Sequence, residues 1–123
     1  MDSEDRYRLI ITVASIRGKC PVFKVGDKIT IESPKIILNQ TDNICIHALG
    51  GILSMIVPLS RGIDFKELGL AKEGESGYFQ CLDPGEPYTH GGTVLFKMRR
   101  EKNLNPKFTI EDNYDILCGS GDC

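Results

Sequence analysis

The stretch Thr41-Asp42-Asn43-Ile44-Cys45-Ile46-His47-Ala48-Leu49-Gly50-Gly51-Ile52-Leu53-Ser54-Met55-Ile56-Val57-Pro58-Leu59-Ser60 decides the fold class. Thr41, Asp42 and Asn43 are all good N-cap residues, because each side chain can accept a hydrogen bond from the first free N–H groups of a helix. Behind them Cys45, Ala48, Leu49, Ile52, Met55, Ile56 and Leu59 recur at spacings of three and four, which makes one continuous apolar stripe. The spacing predicts an amphipathic helix over 42–60, closed by Pro58 and Gly62. At about 100° per residue, His47 should stand some 200° from Cys45 and point away from that stripe. A second, short helix is expected over 64–70, capped by Asp64 and stopped near Gly69.

Everything around this helix reads as strand. Arg8 to Ile16 holds the β-branched run Leu9, Ile10, Ile11 and Val13. Val22 to Val25 and Lys28 to Glu32 flank Gly26-Asp27, which reads as a hairpin turn with Asp27 stabilising it. Ile29 and Ile31 alternate with Lys28, Thr30 and Glu32, so one face is expected to be buried and the other wet. Pro34 ends that strand and Ile36 to Leu38 resumes it. Gly77 to Leu82 and Thr93 to Met98 complete the set, the latter with Val94, Phe96 and Met98 on one side. This order favours an α+β fold: a small antiparallel sheet covered on one face by the 42–60 helix. The expected organisation is one domain over 1–99 followed by an arm over 100–123. Phe108, Ile110, Tyr114, Ile116 and Leu117 give that arm side chains able to dock on the body.

Composition narrows the class of function. With 123 residues, 41% hydrophobic and 26% charged, the chain is long enough for a real core and typical of a globular domain. A net charge of -2 and a pI near 5.7 argue against nucleic-acid binding, which usually shows a basic face. The one dense basic cluster, Lys97 to Lys102, contains Glu101. The longest apolar segment, Ile44 to Leu59, falls short of the ~20 apolar residues that span a bilayer, so no membrane partner is expected. Met1 to Asp5 is acidic, with no basic region ahead of an apolar stretch, so no secretory signal is expected. A cytoplasmic location with reduced thiols follows, and five cysteines is an odd number for a closed disulfide framework.

The cysteines carry the chemistry. Cys20 opens Cys20-Pro21-Val22-Phe23-Lys24-Val25-Gly26-Asp27, Cys45 stands at the head of the helix, and Cys81 opens Cys81-Leu82-Asp83-Pro84-Gly85. A thiolate at the first turn of a helix meets unpaired N–H groups, and soft sulfurs on meeting turns suit zinc or an iron–sulfur centre. The candidate metal ligands are Cys20, Cys45 and Cys81, with His47 or His90 completing a four-ligand set or a water leaving it open. Against this, the chain has no Cys-x-x-Cys pair, and free cysteine is among the most buried residue types. Structural cysteines in a metal-free binding or interaction module, with a partner protein or a second copy of the chain, are the alternative. A third reading is an enzyme in which His90, oriented by Asp83 or Glu86, acts on a small anionic ligand held by the Gly91-Gly92 loop. That loop lacks the lysine and following helix of a P-loop. The tail Cys118-Gly119-Ser120-Gly121-Asp122-Cys123 can close a ring, hold a soft metal, deliver a thiol to the body, or do none of these.

The combination Cys20-Pro21-x-x-Lys24-x-Gly26-Asp27, isolated Cys45 and Cys81-x-Asp83-Pro84 resembles an uncharacterised family of short prokaryotic proteins. That family is built on a Cys-Pro-x-x-x-x-Gly-Asp hairpin, a central Cys and a later Cys-x-Asp motif. The likeness runs from about Leu9 to Met98 and implies that the three cysteines act together in a metal or redox site, without implying a reaction. Many relatives carry Cys-Pro at the central position, where this chain has Cys45-Ile46. The segment from Glu101 to Cys123 stands as an addition to the family pattern.

Overall fold

A computed structural model describes residues 6–102. The strands are β1 (Tyr7–Gly18), β2 (Lys28–Glu32), β3 (Lys35–Ile36), β4 (Gly77–Gln80) and β5 (Gly92–Lys102), and the helix α1 is Ile46–Ser60. They form one five-stranded sheet in the order β3-β2-β1-β5-β4, with antiparallel pairing throughout. The fold is therefore mixed α and β and mostly sheet. β5 continues to Lys102, so residues 100–102 belong to the sheet; the remainder of the expected arm lies outside the described residues.

The central pair is β1 with β5, in register from Tyr7 opposite Lys102 to Gly18 opposite Gly92. A bulge between Val13 and Ser15 interrupts it, and such an extra residue bends a strand and increases its twist. Leu9, Ile11 and Val13 alternate onto the same face as Phe96, Met98 and Val94, and α1 lays Ala48, Ile52, Ile56 and Leu59 upon them. Each fully buried aliphatic side chain contributes roughly 1.5–3 kcal/mol. Phe96 is the hub, stacked on Phe79 with centroids 4.7 Å apart and edge-on to Phe23 at 5.4 Å.

Several expectations need correction. The helix begins at Ile46, not 42, because the candidate caps are engaged elsewhere. Thr41 Oγ1 accepts the Thr30 N–H, Asp42 Oδ2 accepts the Lys28 N–H, and Asn43 Nδ2 donates to the Val22 carbonyl. Cys45 becomes the N-cap residue, with no side-chain capping bond. The helix ends at Ser60 as expected, with Gly62 at φ +95° just beyond it, but Pro58 lies inside the helix rather than ending it. The short helix over 64–70 is replaced by successive turns, Gly69 N–H to Lys66 O and Leu70 N–H to Phe65 O, with buried Phe65 as the anchor. A strand does resume, at Lys35–Ile36, but it stops short of Leu38, where an extra helical turn runs over Leu38–Gln40.

The 22–25 segment likewise forms no strand. Residues 24–27 make a β-turn, with the Asp27 N–H on the Lys24 carbonyl and the Asp27 carboxylate accepting the Lys24 N–H. Gly26 takes φ +94° at that turn, so its role there matches the sequence. Thr30 is not wet: it is buried, and its hydroxyl donates to the Gln40 carbonyl. The 37–42 segment runs along the outer edge of β2 and covers it. No helix among the described residues is long and apolar enough to cross a membrane.

Candidate functional site

Antiparallel order places chemistry at one end of the sheet. β1 ends at Gly18 opposite Gly92, where β5 begins, and β4 ends at Gln80 opposite Leu95 of the same strand. Cys20 leaves β1 and Cys81 leaves β4 on either side of the start of β5. The N-terminus of α1, carrying Cys45, closes over this end. The result is a cavity of about 430 Å3, lined by Cys20, Cys45, Cys81, His47 and Asp83. Its apolar wall includes Phe23, Ile44, Ile46 and Val94, and its floor includes Gly91 and Gly92. A space of this size suits a small ligand.

Each sulfur is held differently. The Cys20 Sγ accepts N–H groups from Val22 at 3.4 Å and Phe23 at 3.3 Å, so the Cys-Pro loop curls around its own thiol. The Cys81 Sγ is buried, accepts the Val94 N–H at 3.2 Å and faces the Gly92 carbonyl at 3.6 Å. Cys45 is half-buried, and its thiol makes no capping bond to α1. All three are free thiols.

His47 lies at the second position of α1 and is exposed. The wheel arithmetic that separated it from Cys45 does not apply, because Cys45 is outside the helix at φ -112°, ψ 129°. Both residues line the cavity. His90 stands apart: it is fully exposed, is not among the lining residues, and its Nδ1 lies 3.0 Å from Glu86 Oε1.

Asp83 is the residue whose part the sequence understated. Its Oδ1 accepts the Gly85 N–H at 2.9 Å and the Thr89 hydroxyl. The Thr89 hydroxyl, and after it the Gly85 N–H, hold its carboxyl below the usual aspartate value; desolvation opposes them, and the proximity of His47 is the smallest contribution. Gly91 and Gly92 permit this packing by lacking a side chain. A Cβ at 91 would lie 1.9 Å from Asp83 Oδ2, and one at 92 would lie 2.8 Å from the Lys19 backbone. Asp-Pro-Gly reads as a turn in any sequence; only the return of β5 beside it marks Asp83 as a wall of the cavity.

Among the described residues, no group of three or more His, Cys, Asp or Glu side chains is drawn together as a metal-holding cluster. The sulfurs surround one space without sharing a ready coordination sphere. Comparison of the chain with known protein families, curated proteins and solved structures returned no match, so the site is read from its own geometry.

Proposed function

We propose that the chain is a small accessory protein whose cavity is a reactive-thiol site for a small, soft ligand. The observation that carries this reading is the single cavity shared by Cys20, Cys45 and Cys81 with His47 and Asp83. Cys45 is the attacking sulfur: it is half-exposed, whereas Cys20 is wrapped by its own loop and Cys81 is buried. Its chemistry is thiol–disulfide exchange with a low-molecular-weight disulfide. The Cys45 thiolate attacks one sulfur, the ligand's S–S bond breaks, and the departing thiolate takes up a proton. A second cavity thiol, losing its proton, then attacks the Cys45 sulfur, forming a protein disulfide and breaking the bond to the ligand, whose other half departs as a thiolate that takes up that proton. The same donors support a second reading, zinc or iron–sulfur binding by Cys20, Cys45, Cys81 and His47, since soft sulfur and imidazole are the ligands such centres take.

The test is to purify the protein anaerobically and measure zinc, iron and acid-labile sulfide per chain, for wild type and Cys45→Ser. The metal-free protein is then treated with oxidised glutathione and mapped by peptide mass. A mixed disulfide at Cys45 in metal-free protein supports thiol exchange. Near-stoichiometric metal lost in Cys45→Ser supports the second reading. Absence of both overturns the site and leaves a binding module with structural cysteines.

A further inference from the structure

The helix α1 buries Ala48, Ile52, Ile56 and Leu59, yet its opposite side is apolar as well. Ile46, Leu53 and Val57 are 80%, 59% and 57% exposed. With Gly50 they follow the spacing i, i+4, i+7, i+11, which keeps them within one narrow stripe. His47 is the only ionisable side chain in the helix. A helix with apolar stripes on opposite sides is normally covered on both.

β5 leads the chain to the C-terminal end of that helix. The Arg100 guanidinium donates to the Leu59 carbonyl at 3.0 Å and the Ile63 carbonyl at 2.6 Å, so the end of β5 is tied to the C-terminal end of α1. Two residues later, at Lys102, the described chain ends, and the following residues include Leu104, Phe108, Ile110, Tyr114, Ile116 and Leu117. α1 is about 22 Å long at 1.5 Å per residue. Residues 103–117 reach up to about 50 Å when extended, so they can run the whole stripe. Tethering beside the stripe gives this segment an effective concentration in the millimolar range, an advantage a free partner lacks.

We propose that residues 103–117 cover the outer face of α1, entering at Val57 and running toward Ile46.

The test is limited trypsin digestion of the full chain, following cleavage after Lys107, with and without Leu53→Glu/Val57→Glu. Both substituted side chains are exposed, and circular dichroism checks that the double variant retains its fold. Covering predicts slow cleavage at Lys107 in wild type and an increase of tenfold or more in the variant. Equal rates in the two proteins overturn the proposal. So does a wild-type dimer, seen by sedimentation, that the double variant dissociates while cleavage at Lys107 stays unchanged, because the stripe is then an interface between copies. A Phe108→Asp/Ile110→Asp variant gives the reciprocal check: it should bind more of a hydrophobic dye, and unchanged dye binding also overturns the proposal.

Discussion

Asp83 Oδ2 occupies the space that a side chain at Gly91 would fill, 1.9 Å from where its Cβ would stand. The wall of the cavity therefore depends on two residues eight positions apart, one supplying the carboxylate and the other making room for it. Oδ1 of the same carboxylate is tied to Gly85 and Thr89, so Asp83 cannot move aside without giving up those bonds.

Gly91→Ala should displace Asp83 and loosen the 83–91 loop. A loss of about 1–2 kcal/mol in unfolding free energy is expected, the scale of a lost hydrogen bond plus local strain. Urea denaturation measures it. Asp83→Asn, which keeps the shape, should cost less than Gly91→Ala.

Acid should act through Asp83. Its carboxyl is held below the usual aspartate value of 3.8, chiefly by the Thr89 hydroxyl and the Gly85 N–H. A depressed folded-state value adds stability that is complete above the unfolded value and is lost as pH falls through the folded one. Wild type should therefore lose stability below about pH 4 more steeply than Asp83→Asn. Urea midpoints between pH 2.5 and 6 test the sign, and equal slopes would remove Asp83 from the account.

The three cavity thiols should separate by rate of alkylation. Cys45 and Cys20 are half-buried, while Cys81 is 8% exposed and bonded to the Val94 N–H. Cys81 should react at least tenfold more slowly than Cys45, since exposing it requires local opening of the β4–β5 end. Quenched iodoacetamide labelling with peptide mapping gives the order.

Phe96→Ala should cost about 3–5 kcal/mol, because the ring is fully buried between Phe23 and Phe79. Phe23 also donates its N–H to Cys20, so the same variant should speed labelling of Cys20 more than that of Cys45. A uniform increase at both sulfurs would indicate general unfolding instead.

The local patterns were legible. The three-and-four spacing of Ala48, Ile52, Ile56 and Leu59 located the buried side of the helix, and the alternation of Val94, Phe96 and Met98 located the core side of β5. Both depend on side chains only a few positions apart, which the backbone period alone brings to one face. The turn at Gly26-Asp27 was legible for the same reason. The start of the helix was not, because Thr41, Asp42 and Asn43 bond to Thr30, Lys28 and Val22, partners 11 to 21 residues away.

By itself, the sequence determined a helix packed on strands and three cysteines each placed beside a turn. Only the tertiary structure decided that Cys20, Cys45 and Cys81 line one cavity, that Asp83 joins them and that His90 does not. The reason is the strand order: β5 inserts between β1 and β4, so the ends of those two strands, the beginning of β5 and the head of α1 meet at a single edge. Cysteines 25 and 36 positions apart share no local period. Their meeting is a property of antiparallel pairing between distant segments, and no window of the sequence short enough to show a pattern contains it.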